Sequence, residues 1–469
     1  MQRAAQIIHA LAEAGHRAFI VGGAVRDQLM GCTPKDIDLA TLATPEVVEQ
    51  VARDNGWETV CVGRAFGIVV VVVDGEAYEV ASARTEWYGE DSRRPAGVAY
   101  AGDIREDLAR RDFTINAMAQ SIDGGIIDPF GGQEDLQRGI IRAVGNPAER
   151  FQEDALRPYR AVRFAARYGF RVDEDTQGAI PDMLHRVSGL SVERVRDELE
   201  KTLLAPHAAE GLALLVQSGL ADTTCCHREN GISRQVNVLP ELQHLVGLPQ
   251  NPRYHRFDAW EHTLAVVAGV PGELSLRWAA LLHDVAKGLP SVRCQNQRGE
   301  LADHGHDRIG AEMTADILAR LKVPPAVAAR VVWLVRHHMT FPAPNRKAIV
   351  KWLRRFARDF RSQEALADAV NQLLALRQAD LLAGKESPDL AELEELVRVV
   401  RDVLATVPFY TANLAISGGQ VARELSAGPQ VGQFLASLLE RVQAGQLENS
   451  AEILASALNK KVKRNRDQV

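Results

Sequence analysis

The chain has 469 residues, 46% of them hydrophobic and 25% charged, with a formal net charge of −6. This length exceeds what one hydrophobic core organises, and the balance excludes a disordered or fibrous chain, so two or more globular domains are expected. No apolar run is long enough to span a bilayer, and the opening MQRAAQIIHALAEAGHR carries charge through its apolar positions, unlike a cleaved signal peptide. No membrane partner is therefore expected. Cys32, Cys61, Cys225, Cys226 and Cys294 show no metal-knuckle spacing and read as reduced thiols of a cytoplasmic protein. The negative net charge does not exclude a nucleic-acid partner, because phosphates respond to local fields. Locally the chain is basic at Arg110-Arg111, at Arg157, Arg160, Arg163 and Arg167, and in the tail at Lys460, Lys461, Lys463, Arg464 and Arg466.

In chain order, a helix over about 3–15 leads through Gly15 to a strand at Ala18–Val21, then Gly22-Gly23 and a second helix. Asp36–Ala40 reads as a strand, and Ile68–Val73 is a β-branched run closed by the hairpin signal Asp74-Gly75, with Tyr78–Ala81 returning. The pattern predicts a small sheet carrying helices on one face. After about residue 145 it becomes helical nearly to the end; SVERVRDELEKTLL sets Val192, Val195, Leu199 and Leu203 on one stripe. Breaks near Gly145–Pro147, Pro240–Pro252 and Gly384–Pro388 mark approximate seams.

Four constellations in the first part carry chemistry. Gly22-Gly23 after a strand lets the backbone approach a bulky anion at a helix start, and Arg26 adds a bidentate phosphate donor. In Lys-Asp-Ile-Asp-Leu, Asp36 and Asp38 stand at i and i+2 of the expected strand, so both carboxylates face one side. Such a pair is accommodated by shared divalent cations, which can bridge a nucleoside triphosphate; Glu79 on the return strand is a candidate third carboxylate. Next comes RRDFTINAMA at 110–119, whose paired arginines suit a triphosphate or an RNA backbone.

The fourth is Glu153-Asp154-Ala155-Leu156-Arg157 with Arg160 and Arg163, where one helix would put Asp154, Arg157 and Arg160 on a broad face. The plain alternative is an Asp154–Arg157 helix salt bridge. The functional reading is base recognition. A carboxylate accepts from an exocyclic amino group while a guanidinium donates to the neighbouring ring nitrogen. Cytosine and adenine present that pattern on the pairing edge, and uracil and guanine present its reverse. An Asp–Arg pair therefore selects C and A without a template.

GGAVRD…DID, RRDFTINAMA, DPFGG at 128–132, EDALR at 153–157 and SVERVRDELEK, in that order, resemble the motifs of class II tRNA nucleotidyltransferases, the CCA-adding family related to bacterial poly(A) polymerases. The resemblance implies that Asp36 and Asp38 are catalytic and hold Mg2+, and that Gly22, Gly23, Arg26, Arg111 and Asp112 bind the nucleotide. It implies further that Asp154 and Arg157 read the base with help from Arg160 and Arg163, and that Arg84–Tyr88 with Arg93-Arg94-Pro95 forms the loop used in switching from C to A. The implied partners are tRNA, CTP and ATP.

Downstream, His262, His283-Asp284, His304 and His306, His337-His338 and Asp380 recur at helix-sized spacing, and imidazole and carboxylate are good transition-metal ligands. The order H…HD…D, with Lys287 after the HD, resembles the HD phosphohydrolase superfamily. By that likeness His262, His283, Asp284 and Asp380 form one metal site for a transition-metal ion, and one of each histidine doublet completes a second. The combination resembles CCA-adding enzymes whose HD domain acts on RNA 3′ ends.

The expected fold class is α+β. A small polymerase-β-like nucleotidyltransferase head (1–145) is followed by an extended all-α neck and body (146–250) for nucleobase and tRNA binding. An all-α HD domain (251–385) and a helical tail (386–469) complete it. The expected function is addition of the 3′-terminal CCA, or part of it, from CTP and ATP without a template, with HD phosphohydrolase activity on RNA 3′ ends. Competing readings are an A-only or CC-only enzyme, a bacterial poly(A) polymerase, and an HD hydrolase with an inactive RNA-binding head.

Overall fold

The computed structural model describes residues 2–63, 67–88, 95–425 and 428–466. Ala18–Val21 (β1) is an apolar run buried along its whole length, because both faces of its sheet are covered. Ala18 and Ile20 pack on one side with the helices Gln2–Glu13 (α1) and Pro45–Asp54 (α3); Phe19 and Val21 pack on the other with Ile104 and Leu108. The helix Gly23–Leu29 (α2) lies between them in sequence. The expectation of helices on one face is corrected by the second core. Its helix, Ile104–Ala109 (α4), is only six residues long, too short for its periodicity to stand out.

The sheet has seven strands. Besides β1 they are Asp38–Thr41 (β2), Glu58–Gly63 (β3), Ile68–Val73 (β4), Glu76–Ser82 (β5), and the short Ala119–Gln120 and Ile126–Ile127 at one edge. The order runs β3-β4-β5-β2-β1 and on to that edge, with β2 and β5 parallel and the other pairs antiparallel. Asp74 and Gly75, at φ 50° and 80°, make the tight turn between β4 and β5 that the sequence announces. Arg84–Tyr88 and Pro95–Tyr100 pair as a separate antiparallel ladder; Arg93 and Arg94 lie outside the described residues, as do the Arg464 and Arg466 side chains.

The chain divides into two units, Met1–Gln243 with Arg320–Val323 and His244–Ala319 with Pro324–Val469. In the first, the sheet is followed by helices including Pro147–Glu153 (α5), Arg157–Tyr168 (α6) and Val192–Leu203 (α7). The second is built on Ala259–Gly269, Leu274–Leu282, His306–Arg320, Pro325–His337 and Gln363–Gly384. Its last three helices, Gly418–Leu425, Pro429–Gln443 and Ala451–Arg466, enclose a core of their own around Val421, Leu438 and Leu454.

The α+β class is borne out, but two regions expected as all-α each contain a hairpin. Thr224–Glu229 pairs with Ile232–Asn237 across Asn230-Gly231, and Arg293–Gln295 pairs with Leu301–Asp303. Asn-Gly is a strong hairpin signal, yet the flanking strands are polar and mostly exposed, so they lack the apolar alternation that marks a strand. No helix among the described residues is long and apolar enough to cross a membrane.

Candidate functional site

The first unit holds a cleft of about 680 Å³ whose lining includes both aspartates of the DID run and a concentration of arginines. Gly22, at φ 68°, caps α2, and a Cβ there would sit 2.5 Å from Arg111 Nη1, so the turn accepts only glycine. Strand β2 begins at Asp38, and Asp36 lies in the bend before it, which corrects the expected start of that strand. The two carboxylates share the cleft without sharing a pleat face. Neither makes a described hydrogen bond or ion pair. Loss of solvation raises the Asp38 carboxyl above its ordinary value; Arg111 opposes this and Asp36 adds to it. Two unpaired carboxylates in one cleft, the second made costlier to ionise by the first, fit a divalent cation.

Glu79 is exposed on β5, one residue before Val80, which pairs with Leu39. It stands level with Asp38 on the neighbouring parallel strand.

Most of the arginines are already fixed by acids. Arg26 is buried, donates through Nε and Nη2 to Asp27 (2.9 and 2.7 Å) and through Nη1 to Asn116 Oδ1, and lies over the Tyr168 ring. Arg111 donates to Asp107 Oδ2 (3.1 Å from Nη2), and Arg110 to Asp107 Oδ1 (2.6 Å). Burial alone would raise the Asp107 carboxyl, but Arg111 and Arg110 outweigh it and hold it below its ordinary value. Asp112, also buried and depressed, accepts from Arg160 Nε (2.7 Å) and Asn116 Nδ2 (3.1 Å). Arg163 donates to Glu198 (2.5 Å) and covers the Phe164 ring at 4.0 Å.

Asp154 and Arg157 do not share a helix. Asp154 ends α5 in extended conformation, at φ −145° and ψ 107°, and Arg157 begins α6. The expected single face, and the plain Asp154–Arg157 salt bridge, are both corrected: Asp154 Oδ2 pairs instead with Arg194 of α7 (2.8 Å). The physical reason is Pro158, which suits the first turn of a new helix and not the interior of a continuous one. Arg157 is buried, and Nη1 donates to Glu153 (2.7 Å) and Arg150 O (3.0 Å), Nη2 to Arg110 O (2.8 Å). Three of the five guanidinium N–H groups hold the side chain in place on the cleft wall, leaving two to donate.

Arg194 and Asn116 were missed in the sequence. Arg194 and Glu198 are one turn apart on the α7 face beside the buried Val195–Leu199 stripe, so helical periodicity could have found Arg194. DPFGG is structural: Asp128 accepts from Gly132 N (2.7 Å) and Gln133 N (2.9 Å) and starts the following helix.

In the second unit, helices converge their ends on Asp284. His283 Nε2 lies 3.2 Å and His262 Nε2 3.6 Å from Asp284 Oδ2; His306 Nε2 lies 3.3 Å and His338 Nε2 3.9 Å from Oδ1. Asp284 thus belongs to two clusters with metal-ligand spacing, one with His262 and His283, the other with His306 and His338. Asp380 Oδ1 is 3.2 Å from His262 Nε2. Of the doublets, His306 and His338 enter the centre. His304 is exposed, and His337 packs on Trp333 and Phe356, its basicity pushed down to about 4, chiefly by burial.

The tautomers suit metal binding. Nδ1–H of His283, His306 and His338 donates to the carbonyls of Ala280 (2.8 Å), Asp303 (2.6 Å) and Val335 (2.6 Å), turning each Nε2 lone pair inward. His306 and His338 then oppose two acceptor nitrogens at 3.2 Å, an arrangement that a cation between them relieves. His262, fully buried, has hydrogen-bond geometry to no partner at either nitrogen. Burial opposes ionisation of Asp284, but His283 and Lys287 outweigh it and hold the carboxyl well below the usual range. Lys287 Nζ sits 2.7 Å from Asp284 Oδ2 and 2.8 Å from Gln250 Oε1. The donor set fits transition-metal ions. A cleft of about 620 Å³ opens on it.

Residues 18–142 match the model of the poly A polymerase head domain, 169–224 that of a probable RNA and SrmB-binding site of polymerase A, and 260–383 the HD domain. Three segments of the chain are thus similar to a poly A polymerase head, its RNA-binding region and an HD domain. The likeness to class II tRNA nucleotidyltransferases with an HD-type domain is thereby borne out. It is 48% identical over 219 residues to the CCA-adding enzyme of Geobacillus kaustophilus, covering 47% of this chain and 53% of that one. To the Bacillus subtilis CCA-adding enzyme it is 44% identical over 218 residues, 46% and 54% of the two chains. These matches span about half the length of the curated relatives. The fold superposes on the Bacillus stearothermophilus CCA-adding enzyme in complex with CTP with a TM-score of 0.66 and 29% identity, covering 100% of this chain and 99% of that one.

Proposed function

We propose that the chain is a tRNA nucleotidyltransferase that builds the 3′-terminal CCA, or part of it, from CTP and ATP without a nucleic-acid template, and hydrolyses phosphoesters on RNA 3′ ends with its HD domain. The observation that carries the first half is one cleft bringing together two unpaired carboxylates, a fixed set of arginines, and an Asp154 carboxylate facing cleft space. The RNA 3′-hydroxyl attacks the α-phosphate and pyrophosphate leaves. Asp36 and Asp38 would hold Mg2+, with Glu79 as the third carboxylate; the ion would neutralise the triphosphate and favour attack by the hydroxyl. The Gly22-Gly23 turn, Arg26, Arg111 and Asp112 form the nucleotide seat, with Arg26 and Asp112 acting by fixing their neighbours.

Asp154, released from Arg194, accepts from the amino group of cytosine or adenine, and Arg157 donates its remaining N–H groups to the adjacent ring nitrogen. Arg160 and Arg163 hold that wall. In the HD domain His262, His283, Asp284 and Asp380 would hold one transition-metal ion and Asp284, His306 and His338 a second, activating water toward a phosphoester. The expected divisions at about 145, 250 and 385 stand as part of this proposal, as does a cytoplasmic location, which free, partly buried cysteines suit. The test incubates the protein with tRNAs ending before CCA, before CA and before A, with CTP and ATP separately and together. CCA synthesis gives addition to all three; addition only to the last identifies an A-only enzyme, and runs of A a poly(A) polymerase.

A further inference from the structure

The helix Arg346–Phe356, RKAIVKWLRRF, carries five cations and no acid in a chain whose net charge is −6. Its apolar residues, among them Ile349, Leu353 and Phe356, are buried. Lys351, Arg354, Arg355 and, just past the helix end, Arg358 are all exposed. They stand at i, i+3, i+4 and i+7, which is one stripe. Arg346 is neutralised by Asp402 at 2.6 Å, whereas these four have no described carboxylate partner. Self-repelling cations kept together without acids fit a polyanion.

The stripe edges a cleft of about 470 Å³ that also exposes Phe341 and the rim of Trp352. Trp352 is held by an Nε1–H bond to Thr340 O (3.1 Å). This cleft shares a wall with the HD cleft. His338 and Met339 line the HD cleft, and the next two residues, Thr340 and Phe341, line the basic one. Arg377 joins them, its guanidinium 5.5 Å from the Phe341 ring centroid while Nη1 donates to Asp380 Oδ2 at 2.9 Å. Cations with an adjacent aromatic face match the chemistry of single-stranded nucleic acid, phosphates on the stripe and a base against the ring.

We propose that Lys351, Arg354, Arg355 and Arg358 form a track for the backbone of single-stranded RNA, holding a strand whose 3′ end lies in the HD cleft. The proposal rests on the hydrolase reading of that cleft for its orientation, and on the stripe itself for RNA docking. An acidic protein is the other occupant that charge alone would admit.

The experiment compares the full chain with the combined variant Lys351→Gln, Arg354→Gln, Arg355→Gln, Arg358→Gln. Binding of a short single-stranded RNA ending in a 3′-phosphate is measured across a salt series. Other RNA-binding surfaces contribute equally to both proteins, so the difference isolates the stripe. We expect the slope of log K against log salt to fall by about 2–3, from four phosphate contacts at ~0.7 each. Photo-cross-linking of thiouridine-labelled RNA to wild type should mark residues 340–358. For hydrolysis, the variant should show a KM for the RNA end raised about tenfold, with a small phosphomonoester hydrolysed as by wild type and nucleotide incorporation unchanged. An unchanged salt slope together with no cross-link in this segment overturns the track. Loss of the small-ester reaction along with the RNA reaction also overturns it, since the stripe would then support the centre itself. Should wild type hydrolyse neither ester, the hydrolase reading fails, and the slope and cross-link still decide RNA docking.

Discussion

The two candidate centres solve the problem of concentrated charge in opposite ways. In the first unit most cleft arginines are tied to acids, Arg110 and Arg111 sharing Asp107, Arg160 on Asp112 and Arg163 on Glu198, while Asp36 and Asp38 make no described ion pair. In the second, four imidazoles and two carboxylates face one another with Asp284 in the middle. In the proposed function the open cleft takes an anionic substrate with a divalent cation shared by Asp36 and Asp38, whereas the closed cluster has the donor set to hold transition-metal ions itself. The carboxylates of the first are left open, and in the second backbone carbonyls fix three of the four rings from behind.

The contrast breaks most directly at the open pair. Asp38→Ala should lower the rate of nucleotide addition by about 10²–10³-fold or more with tRNA binding retained. Filter binding and single-turnover incorporation separate the two, and near-normal incorporation would remove Asp38 from the chemistry. In the closed cluster, Asp284→Ala should strip metal from both positions because it serves both, whereas His306→Ala should strip one; metal analysis of purified proteins reads the ratio directly. Loss of the same amount from both variants would contradict two clusters.

Acid stability sharpens the comparison. The buried Asp107 carboxyl is held below its ordinary value of 3.8 by Arg111 and Arg110 against the opposing effect of burial. A depressed folded-state value contributes stability above 3.8 that is lost as pH falls through the folded value. Melting temperature should therefore drop with pH below about 4, and Asp107→Asn should flatten that part of the curve while lowering stability at neutral pH. A curve of unchanged shape would count against the pairing. The smallest effect is expected at Arg194, whose pair with Asp154 is 38% and 29% exposed. Arg194→Ala should change stability by no more than about 1 kcal/mol and alter KM for CTP several-fold with kcat kept. A large loss of kcat would make Arg194 part of the reaction instead of a stand-in for the base.

What was legible in the sequence follows the same division. Asp36 and Asp38 are two residues apart in sequence and line one cleft, so the motif itself brought them together, although the strand begins only at Asp38. The pairing of Asp154 with Arg194 joins residues forty apart and could be read only by asking which face of α7 is polar. The break at Pro158, two residues after Leu156, was visible and should have divided the helix. The choice of His306 over His304 was not visible: it depends on a hairpin strand ending at Asp303 and a helix beginning at His306, and that hairpin is too short and polar to announce itself. His338 over His337 likewise depends on which side of a helix end faces the aromatic residues Trp333 and Phe356.

In the proposed reaction protein side chains, with no template, choose the base. Its direct measurement is single-turnover incorporation of each of the four nucleoside triphosphates into a tRNA lacking its 3′ end, by wild type and by Asp154→Ala. Wild type should incorporate from CTP and ATP and reject UTP and GTP, and the variant should lose that discrimination while still forming product. A variant that still excludes UTP and GTP would contradict base reading by Asp154.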